Sequence, residues 1–153
     1  MTNWMNILDD YSGELRWTPQ GETEARYIGE FDPVHRARLL NWLMHRAEKV
    51  RDDYATAMAW DAAGRRDDWG DPWWEAEGIV RLPAVRFLMD KPFVKALCAL
   101  VIGDGNGHLV FWWQFVADHG REPSPQLARL NGWRPTQSPS PSTIEVADLV
   151  NCY

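Results

Sequence analysis

An apolar stripe in the first half of the chain constrains the fold more than any other sequence feature. It begins after Asp32 and Pro33, a favoured N-cap and first-turn pair, and continues to about Ala63, where Gly64 provides a stop signal. At 100° per residue its apolar side chains fall within one sector of about 140°. They are Leu39, Leu40, Leu43, Met44, Ala47, Val50, Tyr54 and Met58. The sequence therefore predicts one long amphipathic helix with a single buried face.

Proline at first-turn positions marks further helices along the rest of the chain. The predicted helices cover residues 73–80, 83–89, 93–102 and 125–130. The aromatic and β-branched content of residues 109–117 would suit a buried strand, but Gly120 suits a helix C-terminus, so we favour a helix. Residues 4–11 predict a short helix, and residues 15–31 an irregular or hairpin stretch around Pro19 and Gly21.

The length of 153 residues suits one domain of ordinary size. We expect a mainly α fold, a compact multi-helix domain built around the long amphipathic helix, with a short N-terminal β-hairpin as an optional addition. This single helical domain covers residues 1–134. Residues 135–153 begin with a Pro- and Ser-rich stretch and are predicted to form an arm that ends in a short helix.

Export, membrane and metal signals are weak in this sequence. Residues 1–10 lack a signal-peptide pattern, and the longest apolar run, residues 109–113, is far shorter than the ~20 residues of a membrane helix. Cys98 and Cys152 match neither a disulfide framework nor a zinc spacing. We expect a cytoplasmic protein of a bacterial or host cell, with no membrane association, no cofactor and no metal.

The common catalytic and ligand-binding motifs are also missing from the sequence. It has no nucleophile elbow, zinc-protease helix, phosphate-binding loop or dinucleotide fingerprint. Residues 104–109 resemble the middle of a calcium-binding loop, but that register places Ile102 and Trp113 at ligand positions, so we interpret them as a Gly-rich turn. The sequence therefore favours a protein that is not an enzyme.

One enzymatic alternative stays open. It places a pocket near the end of the predicted helix at residues 109–117, with a histidine as the acid or base. The residues of this pocket would be His108, Trp112, Trp113, Asp118 and His119.

The net charge of −6 is concentrated in one segment. Residues 52–77 contain eight acidic and two basic side chains, while the acids and bases of the remaining chain cancel. Such a segment projects a negative potential, which attracts basic surfaces and repels nucleic-acid phosphates. Basic residues in the first half of the long helix are better read as a solvated face, because the pI is near 5.1. We therefore expect no direct nucleic-acid binding.

Tryptophans are interleaved with the acids of this segment. Indole rings supply apolar anchors at protein interfaces, and carboxylates pair with Arg or Lys of a partner. The candidate partner-binding residues are Trp60, Asp67, Asp68, Trp69, Asp71, Trp73, Trp74, Glu75 and Glu77. The alternative interpretation is that the rings pack beneath a turn while the carboxylates only keep that turn solvated.

Two residues of the long helix are secondary candidates. Trp42 lies with Trp60 on the side opposite the apolar stripe, near Asp53. Either another part of the chain covers that side, or an indole is exposed for a partner. We expect the chain's own termini to cover it, and keep Trp42 and Asp53 as secondary candidates.

The function favoured by the sequence is a non-enzymatic protein-binding module whose partner is another protein with a basic surface. A small acidic domain without a catalytic motif is similar in character to the accessory proteins of bacteriophages and mobile elements. That similarity implies inhibition of a host or defence complex. A self-assembling structural protein, which uses the same tryptophans in a homo-oligomer, is the remaining alternative.

Overall fold

The computed structural model describes residues 4–10, 15–19, 21–65 and 72–130. These residues form eight α-helices, one short antiparallel hairpin and a single 3-10 turn at Ile28–Glu30. The helices are α1 (Trp4–Leu8), α2 (Pro33–His45), α3 (Ala47–Arg65), α4 (Pro72–Val80), α5 (Ala84–Met89), α6 (Pro92–Gly103), α7 (Gly107–His119) and α8 (Pro125–Leu130). The strands are β1 (Arg16–Trp17) and β2 (Arg26–Tyr27). The predicted mainly α class with an N-terminal hairpin is confirmed, whereas the predicted arm at residues 135–153 lies outside the described residues.

Sequence signals placed most helix ends correctly. Asp32 accepts a hydrogen bond from the His35 amide at 2.8 Å and so caps α2, and the Ser124 hydroxyl accepts one from Leu127 at the start of α8. Residues 109–117 belong to helix α7, which ends at Gly120 with φ +69°. A left-handed residue at this point is the usual C-terminal stop of a helix, and glycine adopts it without strain.

The predicted single long helix is divided in two at Arg46. The Arg46 amide shares its hydrogen bond between the carbonyls of Trp42 and Leu43, which tightens the last turn of α2. Helix α2 packs on α6 and α7, whereas α3 packs on α1, α4 and α5. Each half thus contacts different neighbours, and the break occurs although residues 34–63 contain neither Gly nor Pro. The apolar stripe still faces the core on both sides of the break.

A cluster of aromatic rings fills the N-terminal side of the core. Trp17 lies 5.9 Å from Trp4, 5.8 Å from Trp42 and 6.2 Å from Phe93 between ring centroids. Pairs of aromatic rings at these separations stabilise the fold beyond the contribution of the apolar area that they bury. Helix α1 and the hairpin thereby cover the side of α2 that the sequence left open.

One buried guanidinium joins three segments. Arg36 of α2 donates two hydrogen bonds to the carboxylate of Asp104, at 2.8 and 2.5 Å, and others to the carbonyls of Ile28, Gly29 and Phe31. Asp104 begins the Gly-rich turn between α6 and α7, so the pair fixes this turn against α2 and the 3-10 turn. The hydrogen bonds from Arg36 lower the pKa of Asp104 and outweigh the opposing effect of burial.

A second polar group ties α1 to α3 and α6. The Tyr54 hydroxyl donates to the Asp9 carboxylate at 2.6 Å, and the Lys91 ammonium lies 3.2 Å from Asp9 and 3.0 Å from the Tyr54 oxygen. Burial raises the pKa of Tyr54. Burial opposes the charge on Lys91, but hydrogen bonds to Tyr54 and Asp9 outweigh it and raise its pKa. The group is therefore a neutral phenol between two opposite charges, which suits a structural clamp.

Replacing Asp104 with Asn should lower the free energy of unfolding at pH 7 by about 3 kcal/mol, because it leaves Arg36 buried without its counter-charge. Asp53→Asn removes an exposed pair with Lys49 and should cost less than about 0.5 kcal/mol. Urea unfolding of both variants measures these differences.

The difference between the wild type and Asp104→Asn should also depend on pH. Because the pKa of Asp104 is lowered in the folded state, its stabilisation is complete above the ordinary Asp pKa and is lost as the pH falls through the lowered value. The two proteins should therefore approach equal stability in strong acid. An Asp104→Asn protein as stable as the wild type at pH 7 would contradict this role.

Candidate protein-binding surface

Helices α3 and α4, which contain the described candidate residues, form an α-helical hairpin. The contact between them is called the seam. Ala55 and Ala59 of α3 form a small buried cluster with Ala76 of α4, and the half-buried Ile79 packs against both this cluster and the main core. Small side chains allow the two helix axes to approach closely. Among the described helices, α4 makes extensive contact with α3 only. Its remaining surface has no neighbour of comparable extent in that part of the chain.

Helix α4 exposes more apolar surface than this seam can cover. Trp74 is 73% exposed and Trp73 is 43% exposed, and Trp60 of α3 is 65% exposed. The Trp60 and Trp73 rings meet edge to face, with 5.4 Å between centroids. Glu75 and Glu77 are exposed on the same short helix. We call Trp60, Trp73, Trp74, Glu75 and Glu77 the tryptophan surface.

The structure thus places five of the nine predicted partner-binding residues on one helical hairpin. The other four, Asp67, Asp68, Trp69 and Asp71, lie outside the described residues. In the sequence they stand between the end of α3 and the start of α4. The alternative in which these rings pack beneath a turn does not hold for Trp60 and Trp74, which are mostly exposed.

The two secondary candidates have different positions. Trp42 is only 4% exposed, because Trp4 and Trp17 pack over its ring, so it is a core residue and not a contact for a partner. The expectation that the chain's own termini cover this side holds for Trp42, which N-terminal rings cover, and is wrong for Trp60, which is largely exposed. Asp53 lies two turns before Trp60 on the same side of α3 and pairs with Lys49 at 2.8 Å.

A groove of about 390 Å³ runs along α4 beside the tryptophan surface. Met58 of α3, Ile79 and Trp74 supply its apolar lining. Glu75, Glu77, Gly78 and Arg81 complete its lining. Met58 and Gly78 were not among the predicted partner-binding residues. The reason is that the side of α3 that faces α4 depends on how the two helices pack.

The residues of the enzymatic alternative are spread along α7. His108 and His119 stand at opposite ends of α7, eleven residues or roughly 16 Å apart along its axis. Trp112 and Trp113 are buried, and the Trp113 indole donates to the Asn41 side chain at 3.0 Å. Asp118 and His119 are exposed. Within the described residues, no group of three or more His, Cys, Asp or Glu side chains is placed to hold a metal ion.

A different cleft, of about 620 Å³, opens where α2 and α3 separate. His45 and Arg46 line it at the break, and Trp113, Val116 and Arg86 line it from α7 and α5. The His45 ring meets Trp113 edge to face at 5.2 Å. Burial lowers the pKa of His45. This cleft was not predicted, because the break beside it has no local signal in the sequence.

No family model, curated protein or solved structure matches this chain. None of the helices in the described residues combines the length and the apolarity needed to cross a membrane. Inferences about function therefore depend on the geometry of the surface itself.

The lowered pKa of His45 predicts a stability change in mild acid. The folded protein disfavours the charged ring, so this contribution is complete above the ordinary His pKa of about 6.5 and is lost as the pH falls toward the lowered folded value. His45→Gln should therefore flatten the fall in unfolding free energy between roughly pH 7 and pH 5. A proton NMR titration in which the His45 ring has an ordinary or raised pKa would contradict this expectation.

Proposed function

We propose that this chain is a non-enzymatic protein-binding module that uses the tryptophan surface to engage a basic surface of another protein. The observation that carries the proposal is the exposure of Trp60, Trp73 and Trp74 on a hairpin whose second helix has extensive contact with α3 only, among the described helices. A fold that needed these indoles for its own stability would have covered them, as it covers Trp4, Trp17 and Trp42.

The apolar area on this hairpin is large enough to support binding. The three indoles together expose the equivalent of nearly two complete Trp residues. That corresponds to roughly 400 Å², which is worth about 10 kcal/mol before the costs of association. Exposed apolar patches of this size on monomers are often functional, and Trp is the residue most enriched at energetically dominant contacts.

The charge of the segment selects the kind of partner. Glu75 and Glu77 lie beside the indoles, and the sequence from Asp52 to Glu77 has a balance of −6. Such a surface speeds encounter with a basic protein and disfavours contact between two copies of itself. A foreign basic partner therefore suits the surface better than a homo-oligomer does.

The biological setting that we propose is an accessory protein of a bacteriophage or mobile element. In that setting the module inhibits a host or defence complex by occupying a groove with which that complex binds nucleic acid. An acidic surface suits this role because it competes with phosphates for the same Arg and Lys side chains.

Trp74→Ala should abolish capture of the partner, because Trp74 is the most exposed of the three indoles. The fold should stay intact, because removal of this exposed side chain opens no cavity in the core. A central Trp anchor contributes at least about 2 kcal/mol, or roughly 30-fold in affinity. Affinity purification from a lysate of the source or host cell, followed by mass spectrometry and a titration of the captured protein, measures the loss.

The matched control is Phe111→Ala, which removes a 56% exposed aromatic side chain from α7. It should leave capture unchanged, and circular dichroism checks that both variants are folded. Capture by the wild type should weaken with salt, because exposed charges are screened over about 8 Å at physiological ionic strength. Undiminished capture by folded Trp74→Ala and Trp60→Ala proteins would refute the proposal. Light scattering distinguishes a monomer from the self-assembling alternative.

A further inference from the structure

Gly78 creates an open notch in the outer face of α4. A Cβ atom added at this position would meet no atom within 4 Å, so the packing of α4 on α3 does not require glycine. Glycine inside a helix lowers helix stability relative to alanine. The chain therefore has an unfavourable residue at a place where its own packing does not need one. The space that this residue leaves is part of the groove beside Trp74.

The walls of the groove have two chemical characters. Met58 and Ile79 provide apolar lining, and the largely exposed Trp74 contributes an aromatic side chain. Glu75 and Glu77 supply carboxylates to the same lining. A groove lined by apolar side chains, an indole and acids is suited to a side chain with a long apolar stem and a cationic head.

The groove already holds one cation, but only weakly. The Arg81 guanidinium lies 4.0 Å from the Glu77 carboxylate, and both side chains are mostly exposed. Exposed pairs at this separation contribute little to stability, so a partner's cation can displace Arg81 from Glu77 at small cost. The carboxylates of Glu75 and Glu77 both line the groove together with this guanidinium.

We infer that the groove over Gly78 receives an arginine side chain from the partner's basic surface. This inference rests on the proposed function and specifies the chemistry of the partner. The stem of the arginine packs on Met58 and Ile79, and its guanidinium stacks on Trp74 and pairs with the carboxylates. Arginine suits the groove better than lysine, because a guanidinium is planar, is more weakly hydrated and stacks on aromatic faces.

The probe for this inference is N-acetyl-arginine N-methylamide, titrated into the full chain labelled with ¹⁵N. The amide signal of Gly78 and the indole signal of Trp74 should shift saturably, with a Kd in the millimolar range expected of so small a ligand. The matched control is the citrulline analogue, which keeps the shape of arginine but lacks its charge. It should bind about fivefold more weakly or worse, and the norleucine analogue should show no saturable shift.

Two variants of Gly78 separate groove occupancy from folding. Gly78→Ala should raise the midpoint of thermal unfolding and bind the arginine probe within about threefold of the wild type, because one methyl group leaves the groove open. Gly78→Leu should remain folded, because leucine is a good helix former and the space beside Gly78 is empty. Its side chain fills the groove, so saturable binding of the probe should disappear.

The inference is overturned if Gly78 and Trp74 do not respond to the arginine probe, if citrulline binds as well as arginine, or if a folded Gly78→Leu protein binds like the wild type. These outcomes are independent of the capture experiment, which tests the whole tryptophan surface with a protein partner. Loss of capture in Trp74→Ala without a response to arginine would retain the proposed function and remove the arginine site. Binding of arginine with undiminished capture by both Trp74→Ala and Trp60→Ala would remove the proposed function.

Discussion

The arrangement of the other elements depends on the hydrogen bonds of the buried Arg36 guanidinium. A charge taken out of water is costly unless counter-charge and hydrogen bonds surround it. Here Asp104 supplies the counter-charge from the turn between α6 and α7, and carbonyls of the 3-10 turn accept the remaining hydrogen bonds. These bonds therefore hold helix α2, which carries Arg36, in one position relative to the β-hairpin and to α7.

The tryptophans divide into two groups because of where that arrangement leaves room. Trp4 and Trp17 close over Trp42, since the N-terminal segment is held near α2 by the turn that Arg36 fixes. No described segment covers α4 in this way, and its extensive contact among the described helices is with α3 only. Trp60 and Trp74 are exposed for that reason, and the same residue type serves as core on one side of the molecule and as surface on the other.

Local chemistry in the sequence predicted much of the fold. Proline and cap residues marked the starts of α2, α4, α6 and α8, and periodicity identified the buried stripe through Leu43 and Val50. The break at Arg46 was not predicted, because residues 34–63 contain neither Gly nor Pro. For the same reason the cleft at His45 was missed.

The candidate surface was predictable in composition but not in detail. Interleaved indoles and carboxylates identified the segment, yet Trp42 and Trp60 occupy similar positions on the predicted helix and differ completely in burial. Trp42 is covered by Trp4 and Trp17, which are far away in the sequence. The groove beside Trp74 depends on the α3–α4 packing in the same way. A role for Gly78 is therefore not predictable from the sequence alone.

The alanine seam between α3 and α4 has a consequence for how this protein changes over generations. Because Ala55, Ala59 and Ala76 hold the two helices together beneath the exposed rings, substitutions on the outer face of α4 remove no packing from the main core. Mutations there can accumulate without unfolding the domain. Under the proposed function, a lineage could therefore revise what this hairpin recognises while the rest of the molecule stays constant.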